Sequence, residues 1–137
     1  MEKFLGNYSD YLYALMRIVV GLLFSCNGAR KLFGVFGGMG GTGEAAPLFS
    51  QMGMAGIIEF FCGLLVAAGL LTGYAAFIAS GEMAVAYFQG HFPKGVWPIL
   101  NTGERAVFYC FVFLYIASRG AVVWGIDSTG RRRHRLR

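Results

Sequence analysis

Six polar residues lie within or at the ends of long apolar stretches, and their chemistry is the first feature of this sequence. They are Arg17, Asn27, Lys31, Glu59, Glu82 and Glu104. Ionisable side chains inside membrane spans are rare and costly, so each one marks a candidate functional position. Carboxylates held beside cations in such a setting can relay protons or contact the polar headgroup of a lipid-soluble cofactor. We therefore treat the six residues as one candidate intramembrane polar site.

Glu59 has the least ordinary surroundings of the six. The residues around it in the helical turn are all apolar, namely Ile57, Ile58, Phe60 and Phe61. A carboxylate in apolar surroundings needs a partner or a polar cavity, because burying it without either is costly. A functional role and a purely structural pairing are equally compatible with this pattern.

Arg17 and Glu82 are predicted to form an ion pair. Counted from the starts of their apolar stretches, near residues 11 and 74, they lie six and eight residues in. At a rise of about 1.5 Å per residue, these counts place them roughly 9 and 12 Å from the same membrane face. The structural alternative is a buried pair that only fixes helix order and adds little net stability.

A second polar cluster is predicted near the opposite face, where Glu59 and Glu104 enter the membrane. Three polar residues at the end of the first apolar stretch share that level: Asn27, Arg30 and Lys31. Glu104 is the third residue after Asn101, a spacing that resembles a capping box and favours a structural role at the helix start.

The sequence predicts no metal site. The three cysteines, Cys26, Cys62 and Cys110, are an odd number and include no CxxC pair. His91 and His134 are predicted on opposite faces of the membrane, so they cannot share a ligand. A redox-active cysteine trio is an alternative, but small apolar packing is the favoured interpretation for these cysteines.

The elements that must position these residues are four apolar segments, at about 11–33, 54–71, 74–88 and 102–124. Each approaches the 20 or so residues that a membrane helix needs. Apolar residues make up 56% of the 137-residue chain and charged residues only 14%, against about 25% charged in soluble domains. This composition excludes a disordered chain and disfavours a soluble one. We predict an all-α fold, an integral membrane bundle of four transmembrane helices in one domain over residues 1–137.

The predicted topology places both chain termini on one side, because four spans return the chain to its starting side. The short Thr72-Gly73 link makes the second and third spans an antiparallel hairpin. The basic tail at 128–137 holds five arginines: Arg131, Arg132, Arg133, Arg135 and Arg137. Beside so much apolar sequence, such a tail favours a cytoplasmic membrane flank over a nucleic-acid partner. Both termini are therefore predicted to be cytoplasmic.

Taken in order, several motifs resemble those of the DoxX family. LMRIVVGLLF at 15–24, followed by Asn27-Gly28 and residues 31–34, resembles its first helix, and EFFCGLLVAAGLLT at 59–72 resembles its second. EMAVAYF at 82–88 resembles the third helix, NTGE at 101–104 the start of the fourth, and WGID at 124–127 the terminal motif. Many family members have histidine where this chain has Asn27.

The resemblance implies four membrane helices and a location in the bacterial inner (plasma) membrane. DoxX relatives include a subunit of a thiosulfate:quinone oxidoreductase and members of membrane redox assemblies linked to oxidative stress. One expected function is therefore a subunit of a redox-linked, quinone-coupled inner-membrane complex, with quinone as the cofactor and no metal centre of its own. The alternative is a non-enzymatic accessory or scaffold subunit of a larger membrane complex. The expected partners are the lipid bilayer and other membrane subunits, or further copies of this chain.

Overall fold

In the computed structural model, residues 1–129 are described, and they form an all-helical fold without a strand in that range. The α-helices that build this fold are α1 (Glu2–Gly6), α2 (Ser9–Phe33), α3 (Gln51–Ala68), α4 (Thr72–Ala86) and α5 (Glu104–Arg119). The all-α prediction is confirmed. The predicted basic tail lies outside the described residues, apart from Ser128 and Thr129.

The four long helices correspond to the four predicted apolar segments, but their lengths differ. Within the described residues, α2 and α3 are long and apolar enough to cross a membrane, with 25 and 18 residues. The 15 residues of α4 span only about 22 Å, but a π-helical turn at Tyr87–His91 extends its helical path. The fourth segment was predicted to run to residue 124, yet α5 ends at Arg119. It ends there because Gly120 adopts a φ of +70°.

Glycines bring the backbones of α2 and α3 into direct contact. A Cβ added to Gly28 would lie 2.3 Å from the backbone nitrogen of Phe60, and one added to Gly63 would lie 2.6 Å from the carbonyl oxygen of Gly21. Small residues at such crossings are typical of helices that associate in membranes. This contact fixes which faces of α2 and α3 meet, and therefore which polar residues they share.

The packed core lies where α2, α3, α4 and α5 converge. Phe24 of α2 packs edge-on against Phe113 of α5, with ring centroids 4.6 Å apart. On α4, the buried face is made of small side chains, including Ala75, Ala76 and Ala79. These alanines let α4 approach its neighbours closely, so the larger side chains of α2 and α5 fill the remaining space.

The bundle has two distinct ends. The loop end is formed by the C-terminus of α2, the N-terminus of α3 and residues 87–103. The termini end is formed by residues 1–12, the α3–α4 turn and residues 120–129, which we call the terminal segment. At the termini end, Asp127 accepts hydrogen bonds from the backbone nitrogens of Leu71 (3.1 Å) and Thr72 (2.9 Å) and from the Thr72 hydroxyl (3.0 Å). The terminal segment thus caps the start of α4.

The predicted Arg17–Glu82 ion pair is wrong. Arg17 is fully buried, and its guanidinium donates hydrogen bonds to backbone carbonyls. The acceptors are Val66, Ala67 at 3.0 Å and Trp124 at 2.7 Å. Carbonyls in the last turn of a helix lack the usual helical donors. The Val66 carbonyl also accepts a hydrogen bond from the Gly69 nitrogen (3.2 Å), and Arg17 supplies a side-chain donor to both Val66 and Ala67. Arg17 thus caps α3 and ties the terminal segment to it.

The prediction was wrong because it placed Arg17 and Glu82 at nearly the same depth in the membrane. Arg17 is level with the last turn of α3, because it bonds to the carbonyls there. Glu82 instead lines a cavity together with Glu59, which precedes Val66 by about 10 Å of helix rise. Each depth was counted from the start of an apolar segment, and Glu82 lies further from the termini end than that count implied.

Candidate functional site

A cavity of about 700 Å³ lies at the loop end, between α2, α3, α4 and α5. Four of the six candidate residues line it: Asn27, Lys31, Glu59 and Glu82. Arg17 and Glu104 do not line it. Apolar side chains form much of the rest of its wall, among them Met54, Ile58, Ile78, Met83 and Val85. The cavity therefore combines a charged floor with apolar sides, the usual arrangement of small-molecule sites.

An ion pair between Lys31 and Glu59 forms the floor of this cavity. Lys31 Nζ lies 2.7 Å from Glu59 Oε1, and Glu59 is only 3% exposed. The close approach of α2 and α3 positions the pair, since a Cβ on Gly56 would lie 2.9 Å from the Lys31 Cβ. Burying two charges is costly, and the pair compensates for that cost only if its remaining polar atoms also find partners.

Two carboxylate oxygens at the cavity lack such partners. Glu59 Oε2 and Glu82 Oε2 are buried and accept no hydrogen bond from the described residues. Arg30 Nε is also buried, and no acceptor for it occurs in the same part of the chain. Leaving a buried polar group unsatisfied costs about 1–3 kcal/mol. The site is therefore built to receive hydrogen-bond donors at the two carboxylates and an acceptor at the arginine.

Glu82 projects from the edge of the buried face of α4. Ile78 and Val85, one turn on either side of it, are about half exposed, whereas Met83 beside it is buried. The charges of Glu59 and Lys31 act on the Glu82 carboxylate. Glu82 thus joins the charged floor of the cavity to the outer surface of the bundle.

The rim of the cavity is formed by side chains outside the six candidate residues. The π-helical turn brings Gln89 and His91 to the rim, and Gln89 accepts a hydrogen bond from Gln51 at the start of α3. Such turns occur frequently at functional sites. Arg105 and Tyr109, four residues apart on α5, also line the cavity. Their helical spacing was the signal available in the sequence, whereas nothing in the sequence marks the π-helical turn.

Asn27 and Glu104 differ from the other candidate residues. Asn27 lines the cavity, but its side-chain amide donates to the carbonyl of Leu23 on its own helix (3.1 Å). Glu104 is exposed as the first residue of α5, and no side chain caps that helix. The predicted capping role of Glu104 is wrong, because Asn101 itself accepts the hydrogen bond from the Gly103 nitrogen (2.8 Å).

A wider recess at the termini end is a weaker candidate site. It is lined by residues of the terminal segment and by the ion pair between Asp10 and Arg119. That pair is partly solvent-exposed, with Arg119 Nη2 2.7 Å from Asp10 Oδ1, and exposed pairs of this kind contribute little. Asp127, which also lines the recess, is occupied in capping α4.

The described residues contain no group of three or more His, Cys, Asp or Glu side chains that could hold a metal ion. Cys26, Cys62 and Cys110 are free thiols, of which only Cys62 is buried. The ionisable side chains that line the cavity are two carboxylates, the cations Arg30, Lys31 and Arg105, and the rings of His91 and Tyr109.

Comparison with known proteins identifies related sequences. A sequence model of the DoxX family matches residues 12–92, more than half of the chain. A protein of Haemophilus influenzae described as "Uncharacterized protein" is 39% identical over 131 residues, which cover 90% of this chain and 94% of the relative. No solved structure shows significant similarity. The matched region contains five of the six candidate residues, all except Glu104.

Proposed function

The chain belongs to the DoxX family of membrane proteins, and on that premise we propose that it is a subunit of a redox-linked inner-membrane complex. In this proposal, the cavity at the loop end receives the headgroup of a quinone. The observation that carries the proposal is the pair of buried carboxylate oxygens beside the Lys31–Glu59 ion pair, Glu59 Oε2 and Glu82 Oε2, to which none of residues 1–129 donates a hydrogen bond.

The residues present fit both oxidation states of a quinone headgroup. The hydroxyl groups of the reduced form are donors, which the two carboxylate oxygens need, and the carbonyl groups of the oxidised form are acceptors, which Arg30 Nε needs. A volume of about 700 Å³ lies within the range of small-molecule sites. A bound quinone supplies two-electron, two-proton chemistry. Glu82 would take and release a proton at its carboxylate, while Lys31 holds Glu59 in place.

The proposal includes four membrane spans, with both termini in the cytoplasm and the loop end on the opposite face. A membrane-impermeant maleimide tests this orientation in a variant whose three native cysteines are replaced. Thr42→Cys, in the α2–α3 connection, should react in intact spheroplasts, and Lys3→Cys should react only after permeabilisation. The reverse pattern would refute the orientation.

Quinone retention by purified protein tests the proposed function. We expect wild-type protein, extracted gently from bacterial membranes, to retain quinone, and Glu59→Gln and Glu82→Gln each to lower the retained amount by about tenfold, equivalent to roughly 1.4 kcal/mol. Glu104→Gln is the matched control, because Glu104 is an exposed glutamate outside the cavity. Quinone would be extracted with solvent and quantified against protein. Wild-type protein without quinone, or loss in all three variants alike, would contradict the proposal.

A scaffold or accessory subunit is the second candidate, and one surface of α5 favours it. Phe108, Phe111 and Tyr115 project from this helix and are exposed, which provides aromatic area for another membrane subunit. Gentle detergent extraction followed by identification of copurifying proteins tests this role. A chain that migrates alone, or only with copies of itself, would contradict it.

A further inference from the structure

The cavity at the loop end has a lateral side, where α3 and α4 face each other. We propose that the site takes a tailed, lipid-soluble quinone, whose isoprenoid tail leaves the cavity sideways through a seam between α3 and α4. The seam is lined by Met54, Ile58, Ile78 and Val85. This inference rests on the proposed function of the cavity and adds the class of ligand and its route of entry from the bilayer.

The seam residues belong to the cavity and to the outer surface at the same time. Met54, Ile78 and Val85 all line the cavity, yet their exposed fractions are 50%, 52% and 50%. A side chain that lines a cavity and also faces the surroundings lies at an opening. All of these side chains are apolar, as an opening into the hydrocarbon region of a bilayer requires.

The position of Glu82 places the charged floor next to this opening. Ile78, Glu82 and Val85 are spaced by four and three residues, so they lie on one face of α4. Gly81, beside Glu82, is exposed, and a Cβ added there would meet no atom within 4 Å. The carboxylate is therefore one side chain away from the exposed surface of α4, and Gly81 leaves open space on one side of it.

The loop end of the seam is bridged, which distinguishes a lateral opening from an aqueous one. The side chain of Gln51 on α3 donates a hydrogen bond to that of Gln89 in the π-helical turn that follows α4. This bond crosses from one helix to the other between the seam and the loops. A long apolar tail that starts at the charged floor thus has an apolar path between the helices and a polar barrier towards the loops.

Tail-dependent binding tests the inference. Full-length protein would be reconstituted in nanodiscs and its binding of two naphthoquinones measured, with empty nanodiscs subtracted. The probes are menadione, which has no tail, and phylloquinone, which has an isoprenoid tail. The double variant Ile78→Trp/Val85→Trp fills the seam, and Phe77→Trp, on an exposed part of α4 outside the cavity lining, is the matched control. Because Ile78 and Val85 also line the cavity, we expect the double variant to weaken phylloquinone binding at least about tenfold more than it weakens menadione binding.

The possible outcomes separate the two proposals. If wild-type protein binds neither quinone, the proposed function fails, and the tail path fails with it. If wild-type protein binds both quinones and the double variant loses both equally, or neither, only the tail path is refuted. A phylloquinone loss as large in Phe77→Trp would also refute it.

Photolabelling keeps the inference testable if the double variant does not fold. A naphthoquinone with a diazirine at the first isoprene unit of its tail would be crosslinked to wild-type protein and the labelled residues identified by mass spectrometry. We expect labels on Met54, Ile58, Ile78 or Val85. Labels confined to His91, Thr102 and Arg105 at the rim would show that the tail leaves towards the loops, and would overturn the inference.

Discussion

At the scale of single residues, the Lys31–Glu59 pair governs the chemistry of the cavity. Its partners come from different helices and meet at 2.7 Å because glycines bring α2 and α3 together. Only one oxygen of Glu59 is used by Lys31, and the other accepts no hydrogen bond from the described residues. The pair thereby offsets part of the cost of burying a carboxylate among apolar side chains.

Removing Lys31 alone should destabilise the protein more than removing both partners. Lys31→Met leaves an uncompensated buried carboxylate, which typically costs about 3–5 kcal/mol, whereas replacing a whole pair by apolar residues is often neutral. We therefore expect Lys31→Met to lower the unfolding temperature and the additional change Glu59→Met to recover most of the loss. Thermal unfolding in detergent measures both. Lys94→Met, at an exposed lysine, is the control, and an equal effect of Lys31→Met and Lys94→Met would contradict the role of the pair.

At the scale of elements, the contact between α2 and α3 determines which residues share the cavity. Gly28 and Gly56 lie near its floor, and in both cases an added Cβ would approach a neighbour to less than 3 Å. Any increase in the helix separation would move Lys31 away from Glu59. The distance between Lys31 and Glu59 thus depends on glycines at the contact between α2 and α3.

Gly28→Ala should therefore damage both stability and the site. Its methyl group would meet the backbone of Phe60, and overpacking of this kind costs about 1–3 kcal/mol. The unfolding temperature should fall, and quinone retention with it. Gly81→Ala is the matched control, because its methyl group meets open space and alanine favours helix by about 1 kcal/mol relative to glycine. Equal behaviour of the two variants would show that the close contact is unimportant.

The elements were largely predictable, and the contacts between them only in part. Hydropathy located the helices, because long apolar runs dominate the sequence, and predicted α2 within a few residues of its ends. It extended α5 too far, because the helix ends before Gly120, and Val122 and Trp124 beyond it take positive φ values that are unusual for their residue types. The level of Glu59 and Lys31 followed from counting residues. Their pairing depends on helix rotation, which the glycine contacts set and the apolar pattern leaves open.

At the scale of the whole molecule, Arg17 and Asp127 hold the termini end together. Arg17 bonds to the end of α3 and to the terminal segment, and Asp127 caps α4. The partners of Arg17 are backbone carbonyls, which every residue type supplies, so the sequence alone could not identify them. The ion pair with Glu82 was predicted because a sequence identifies oppositely charged side chains but does not show which backbone carbonyls lie near an arginine.

A double-mutant cycle distinguishes the observed role of Arg17 from the predicted one. Arg17→Ala removes the side-chain donor from the carbonyls of Ala67 and Trp124, at a cost of about 1–3 kcal/mol each, so it should strongly destabilise the protein. Its effect should add to that of Glu82→Gln within about 0.5 kcal/mol, as for sites without shared contacts. Unfolding free energies of both single variants and the double variant measure the coupling. A larger coupling energy would show that Arg17 and Glu82 interact directly, as an ion pair would. If Arg17→Lys retains part of the stability that Arg17→Ala loses, the contacts with the carbonyls are supported.

The bonds of Arg17 also have a consequence for biogenesis. Its first acceptors, Val66 and Ala67, lie 49 and 50 residues later in the chain, and Trp124 lies 107 residues later. During synthesis, α2 therefore leaves the ribosome with an arginine that has none of its final partners. Lipid alone would be a poor environment for that side chain, so we expect α2 to stay beside the translocon or a chaperone at least until α3 has been made.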